Sequence, residues 1–389
     1  MYSNTRFHQF LEVLPRTLVD RISATLQAGR YDKSFKPYDH LLALLYGQIS
    51  GARSLRELEA GFNAQAAHHY HLGTGPIRRA TLSDANQRRN PALFKAVAEQ
   101  LMGLVHRKQR RELAELIYLL DSTPIQLKGP GFDWTEIGAT SRNQGLKVHL
   151  MIEQQGHTPV YLHMTSPTVN DVVDARRLRL ESDATYVFDK GYCDYGWWQQ
   201  IDQAGATFVT RLKCNAAIQV VAQHSCDGQL ICSDEWVEFR HRSNRAGHKN
   251  NYHGHRLRRI SVSREGKPPL ILATNDLDRS AKDIAELYRK RWQIELFFKW
   301  LKQNLKLKRF LGKSQNAVTL QIYAAIISYL LLWLYRARQC EPNTSLHLLL
   351  VQLRETLFTR LPTVAQQIYR RRRRERAELI EKTQYVLSY

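Results

Sequence analysis

Cysteine is scarce in this chain and unpatterned. The five present, Cys193, Cys214, Cys226, Cys232 and Cys340, are odd in number, contain no CxxC pair and follow no framework spacing. That argues against a disulfide-stapled fold and for a reducing, cytoplasmic compartment. His68, His69 and His71 lack the spacing of zinc ligands and read as surface histidines. A secretory leader is not expected, because MYSNTRFHQF has no apolar core segment. Long apolar runs are also lacking. Residues 322–335 come nearest, but they fall short of the ~20 needed to span a bilayer. Gln321 and Arg336 bound them closely, so a buried helix is expected and no membrane partner. Internal repeats are absent as well.

Negative charge is in deficit, with 36 acidic against 57 basic side chains and a net charge of +21. So basic a globular chain calls for a polyanion, either nucleic acid or an acidic membrane surface. With 389 residues, 43% of them hydrophobic, more than one folded unit is expected, each with a sizeable core.

Residues 1–112 read as helical. Residues 38–49 form an apolar helix, and Ser54-Leu55-Arg56-Glu57 opens another with a capping pattern. Arg78, Arg79, Arg88 and Arg89 flank a further helix. A DNA-binding helix-turn-helix and a helical support domain with solvated arginines both fit. Residues 113–214 then alternate in type. The run LAELIYLLD ends at Asp121 and reads as a buried strand. Two more strands follow (146–153 and 160–164), then a helix (169–181), a strand ending in Asp189 (185–189), a helix (194–204) and a strand (206–212). The order β, β, β, α, β, α, β predicts a mixed sheet with helices packed on it, an α/β fold. Residues 215–268 are polar, basic and strand-like and read as an all-β insertion. Residues 269–340 return to the core, and 341–389 form a helical, basic end with five arginines at 370–374. That run suits either DNA phosphates or a solvated tail.

The chemistry gathers on three carboxylates. Asp121 and Asp189 each close an apolar strand and so emerge from a rigid sheet edge. Each alone also fits a turn or helix-capping residue. Brought together they repel unless a cation lies between them, and oxygen donors select Mg²⁺ or Mn²⁺. Glu295, on a helix of residues 288–302 that has no Gly or Pro, is the natural third. At about 100° per residue, Tyr288, Arg291, Glu295 and Lys302 fall on one face of that helix. Leu287, Ile294, Phe297, Phe298, Leu301 and Leu305 are left to pack inward. Ser280 with Asp283 is the expected start signal.

The quartet Tyr288, Arg291, Glu295, Lys302 follows the pattern Tyr-x2-Arg-x3-Glu-x6-Lys, and LLDSTPIQL and VFDKGYCDY surround the two aspartates. In these motifs the chain resembles the DDE transposases of bacterial insertion sequences, and within them the insertion sequence four family, over about residues 113–335. The resemblance implies a ribonuclease H-like fold interrupted by a β insertion before the Glu helix. It implies metal-dependent cleavage of double-stranded DNA at terminal inverted repeats and strand transfer into a target. Asp121, Asp189 and Glu295 would hold Mg²⁺ or Mn²⁺, two ions, and Tyr288, Arg291 and Lys302 would contact phosphates. A homodimer on DNA, associated with the nucleoid, is also implied. Some relatives stack tryptophan around a flipped base. Trp292 and Trp236 are the candidates, although on the residues alone both read as core aromatics. The alternative reading is a transposase-derived repressor that binds ends without cutting.

Overall fold

The computed structural model describes residues 5–135, 144–226, 228–243, 249–305, 307, 309–339, 344–360, 371–373 and 375–376. The chain divides into two compact units, residues 99–302 and residues 1–98 with 303–389.

Helices come first: α1 (Arg6–Leu11), α2 (Arg16–Thr25), α3 (Pro37–Ser50), α4 (Leu55–Asn63), α5 (His69–Leu72), α6 (Arg79–Arg88) and α7 (Ala92–Arg110), the last running into the second unit. Their ends follow local chemistry. Pro37 opens α3, Asp39 Oδ2 accepts the Lys36 N–H at 2.8 Å, and Gly51 closes the helix at φ 76°. Ser54 Oγ accepts the Glu57 N–H at 3.1 Å at the start of α4, as its sequence pattern predicts.

The second unit is built on one nine-stranded sheet. Its strands are β1 (Leu116–Gln126), β2 (Gly145–Glu153), β3 (Thr158–Thr165), β4 (Ala184–Phe188), β5 (Thr207–Arg211), β6 (Ile218–His224), β7 (Ile231–Phe239), β8 (Leu257–Arg264) and β9 (Lys267–Thr274). They stand in the order β3-β2-β1-β4-β5-β9-β8-β7-β6. β1, β4 and β5 are parallel and the other pairs antiparallel. An antiparallel meander followed by two parallel crossover strands is the ribonuclease H-like arrangement. Helices α8 (Asp171–Ala175) and α9 (Tyr195–Gln203) cover one face. There Trp197 and Trp198 pack with Tyr118, Tyr186, Phe188 and Phe208, all fully buried. α10 (Ala281–Lys290) and α11 (Trp292–Asn304) follow β9.

Three expectations change. β1 does not stop at Asp121 but continues to Gln126, because β2 pairs with it throughout, Asp121 opposite Leu150 and Thr123 opposite Val148. The helix expected over 169–181 is only the short α8, capped by Asn170. Beyond it Leu178 and Leu180, two residues apart, pack against the aromatic core, and Arg176 is drawn to Asp194 at 2.7 Å. Finally, the strands of residues 215–268 do not form a separate layer. β9 pairs with both β5 and β8, so they prolong the core sheet.

The first unit is completed by α12 (Gln315–Arg338) and α13 (Leu346–Glu355). At 24 residues α12 exceeds the apolar run seen in the sequence and is long and apolar enough to cross a membrane. It is instead almost wholly buried in the fold, packed with α3, α6, α1 and α13. A helix apolar on every side needs such neighbours.

Candidate active site

The parallel register of β1 and β4 runs from Leu116–Ala184 to Leu120–Phe188, a constant offset of 68 residues. One step further the same offset sets Asp121 beside Asp189, since 121 + 68 = 189. Asp121 therefore stands not at the end of its own strand but where its parallel neighbour stops. Asp189 Oδ1 accepts the Gly191 N–H at 3.0 Å and caps the tight turn Lys190–Tyr192. Along β1, Tyr118 and Leu120 face the aromatic core, so Asp121 and Thr123 face the opposite side.

That side meets α10 and α11. Ser280 Oγ caps α10 by accepting the Asp283 N–H at 3.1 Å, as predicted. Leu287, Ile294, Phe297, Phe298, Leu301 and Leu305 are buried, also as predicted. Residues 288–302 are not one continuous helix, however. Arg291 is a turn between α10 and α11, with short-range bonds from its N–H to the Tyr288 carbonyl (3.1 Å) and from the Ile294 N–H to its own carbonyl (3.2 Å). Without Gly or Pro the sequence carries no signal of this tightening; packing imposes it.

At the break Arg291 becomes the hub of the site. Its Nη2 donates to Glu295 Oε1 at 2.6 Å, and its Nη1 stands 3.8 Å from Asp121 Oδ2. Its guanidinium lies 5.8 Å from the Tyr288 ring centre, and its buried Nε has no hydrogen-bond partner. Lys302 Nζ donates to Thr123 Oγ1 at 2.7 Å, which ties the far end of the quartet to β1. Thr123 was not singled out from sequence, yet its place two residues after Asp121 on a strand is the signal that puts it on the same face. Trp292 is not a core aromatic: it is 57% exposed, next to Arg291. Trp236 is half-buried on β7, against His224 at 4.7 Å and under Arg256 at 4.6 Å.

Burial pushes the Asp121 carboxyl up to about 6, against the Ser122 N–H and Arg291 and with help from the charges of Glu295 and Asp189. Burial also raises the Tyr288 phenol to about 12, which keeps it a hydrogen-bond donor at neutral pH. Burial is the largest single influence and works against the charge of Arg291, but the bond to Glu295 together with the electrostatic pull of Tyr288, Glu295 and Asp121 outweighs it and holds the guanidinium above its ordinary range. Among the described residues, no three acidic, His or Cys side chains stand at metal-ligating spacing. The donor set nevertheless suits a hard divalent cation. It is all oxygen, and the carboxyl of Asp121 is desolvated and accepts a hydrogen bond from the Ser122 N–H.

Outside this cluster, His69 is buried with Nε2 3.0 Å from the Phe62 carbonyl, not a surface histidine. Arg370, Arg374 and Cys340 lie outside the described residues, and Arg371 pairs with Glu375 at 2.9 Å.

The sequence pattern of the transposase DDE domain matches residues 112–331, more than half of the chain. The chain belongs to that family. A domain of unknown function matches residues 2–75. The putative transposase y4zB of Sinorhizobium fredii is 42% identical over 256 residues, 64% of this chain and 69% of its own length. A putative transposase for insertion sequence element IS4SA of a Synechocystis species is 26% identical over 65% of this chain and 70% of its own. A probable transposase for element IS5377 of Geobacillus stearothermophilus is 24% identical over 78% and 82%. A piggyBac transposase synaptic complex with hairpin DNA aligns at TM-score 0.46 and 11% identity over 94% of this chain and 80% of that one, a likeness too slight to carry weight. This transposase is thus an enzyme of DNA transposition that binds DNA and, as DDE transposases do, depends on divalent metal.

Proposed function

We propose that Asp121, Asp189 and Glu295 are the catalytic carboxylates, and that they hold two Mg²⁺ or Mn²⁺ ions. The observation that carries this reading is the β1–β4 register, with Arg291 bridging from Asp121 toward Glu295. When bound, the metal supplies Lewis-acid polarisation of the scissile phosphodiester. The remaining work falls to this chain's own side chains. Arg291 would grip a phosphate through a two-pronged contact, its Nε and Nη2 aimed at two oxygens, if Glu295 released it. Lys302 adds a point charge beside Thr123, and the phenol of Tyr288 donates a hydrogen bond. Trp292, exposed at the rim, stacks on a base of the strand being cut. Residues 1–112 hold the terminal repeats, and a homodimer pairs the two ends of the element on nucleoid DNA in the cytoplasm.

A cleavage assay tests this. Purified protein and its Asp189→Asn variant meet duplexes carrying the ends of the encoding element, with Mg²⁺. Nicking at the element boundary by the wild type alone supports the three-carboxylate site. Binding without cutting by both, even with Mn²⁺, would favour a repressor instead.

A further inference from the structure

The sequence offers Arg78, Arg79, Arg88 and Arg89 around its candidate DNA-binding helix, and partners in the first unit separate Arg79 from Arg88 and Arg89. Arg89 is engaged internally. Its Nη2 donates to Asp32 Oδ2 at 2.8 Å and to the Phe35 carbonyl, and its Nη1 to the Lys36 carbonyl at 3.3 Å. Arg88 is paired one turn back with Asp84 at 2.8 Å. Arg53, Arg56 and Arg79 differ. With Ser54, Ser83, Phe310 and Leu311 they line a cleft of about 470 Å³. All three are exposed, and none has an ion pair among the described residues.

The nearby carboxylates hold main chain instead. Glu57 Oε2 accepts the Arg53 N–H at 2.7 Å, and Glu59 Oε1 accepts the Arg79 N–H at 2.8 Å. These bonds pin both rims of the cleft and leave the guanidiniums uncommitted. Ser54 Oγ accepts the Glu57 N–H, so its hydroxyl hydrogen remains to donate, and Ser83 is exposed.

We propose that this cleft grips the sugar–phosphate backbone of duplex DNA, with Arg53, Arg56 and Arg79 on phosphates and Ser54 and Ser83 as hydroxyl donors. The inference rests on the reading of residues 1–112 as the part that holds the element ends. Guanidinium forks match phosphate oxygens, and backbone contacts of this kind set register and orientation without reading sequence. The surplus of +21 charges on the chain suits a duplex better than a single small anion.

The test uses the full chain, a labelled duplex of the element end and a scrambled duplex of equal length, with affinity followed by anisotropy over a salt series. For R53Q/R56Q/R79Q, the plot of log affinity against log salt becomes shallower by about 2 to 3, near 0.9 per lost contact. Both duplexes lose affinity alike, while R88Q keeps the wild-type slope. A folded triple variant with the wild-type slope overturns the cleft. If the triple variant does not fold, each single variant still lowers the slope by about 0.9, and unchanged slopes overturn the proposal equally. Should the wild type cut the ends while these slopes stay put, the cleft falls and the catalytic reading stands. A wild type that neither binds nor cuts the ends overturns both.

Discussion

Two arginines of the second unit are both withdrawn from water and both face carboxylates, yet they are held in opposite ways. Arg258, on the insertion strands, is 7% exposed and closes on Asp234 through two bonds, Nε to Oδ1 at 2.8 Å and Nη2 to Oδ2 at 2.7 Å. Its Nη1 donates to the Arg279 carbonyl. Arg291, 13% exposed, makes one short bond to Glu295, stands beyond hydrogen-bond range of Asp121, and keeps a buried Nε with no partner. The first arrangement is complete and holds strands β7 and β8 together. The second is left open beside Asp121 and Glu295, and under the proposed function an entering phosphate oxygen would be the acceptor it lacks. A buried polar group without a partner is uncommon and calls for a reason. Under the proposed function the reason lies in what the site would receive, whereas Asp234 already meets two of the Arg258 donors.

Breaking the open cluster has the largest expected effect. Glu295→Gln should slow end cleavage by at least about 10⁴-fold, ~5.5 kcal/mol in barrier, while end binding and thermal midpoint hold. Binding lost along with cleavage would make Glu295 structural. Next comes the closed pair. Arg258→Ala leaves Asp234 buried and alone, and denaturant unfolding should register a loss of about 3–5 kcal/mol. Arg291→Ala should lose clearly less stability, because Glu295 is 32% exposed and rehydrates. Equal losses from the two would erase the distinction.

Asp121 sharpens the comparison through pH. Its carboxyl is raised from 3.8 to about 6, chiefly by burial. A raised carboxyl stabilises the fold below the unfolded value, and that contribution is lost as pH rises through the folded value. In EDTA, Asp121→Asn should therefore be more stable than the wild type at pH 8, by up to about 2–3 kcal/mol, with the gap closing toward pH 4. A variant less stable at pH 8 would mean that the carboxylate is well satisfied without metal. The smallest effect is expected at the rim of the insertion. Arg256→Ala removes the cation over Trp236 and should lower stability by about 0.5–1 kcal/mol, leaving cleavage untouched.

Much of this was legible beforehand wherever the signal was local. Ser280 and Ser54 announced helix starts, the apolar runs before Asp121 and Asp189 announced strands, and the spacing of Leu287, Ile294, Phe298 and Leu301 announced the buried side of the Glu helix. What depended on neighbours was not legible. The stretch after Ala175 lost its helix because Leu178 and Leu180 found the aromatic core. Trp292 proved exposed because the packing of α11 is carried by other positions. Arg89 is engaged because Asp32 and the carbonyls of Phe35 and Lys36 lie within reach, whereas Arg79 stands exposed.

The sequence by itself determined the chemistry on offer: three carboxylates, a Tyr, an Arg and a Lys spaced along one helix face with Glu295, and a surplus of positive charge, each a property of residue type and short-range spacing. Only the tertiary structure decided that Asp121 and Asp189 stand side by side, that the chain turns at Arg291, and that Arg291 stays open while Arg258 is closed. Strand pairing across 68 residues and the sharing of a guanidinium between segments are long-range events. Their free energy comes from burial and pairing among elements distant in the chain, so no local pattern records them.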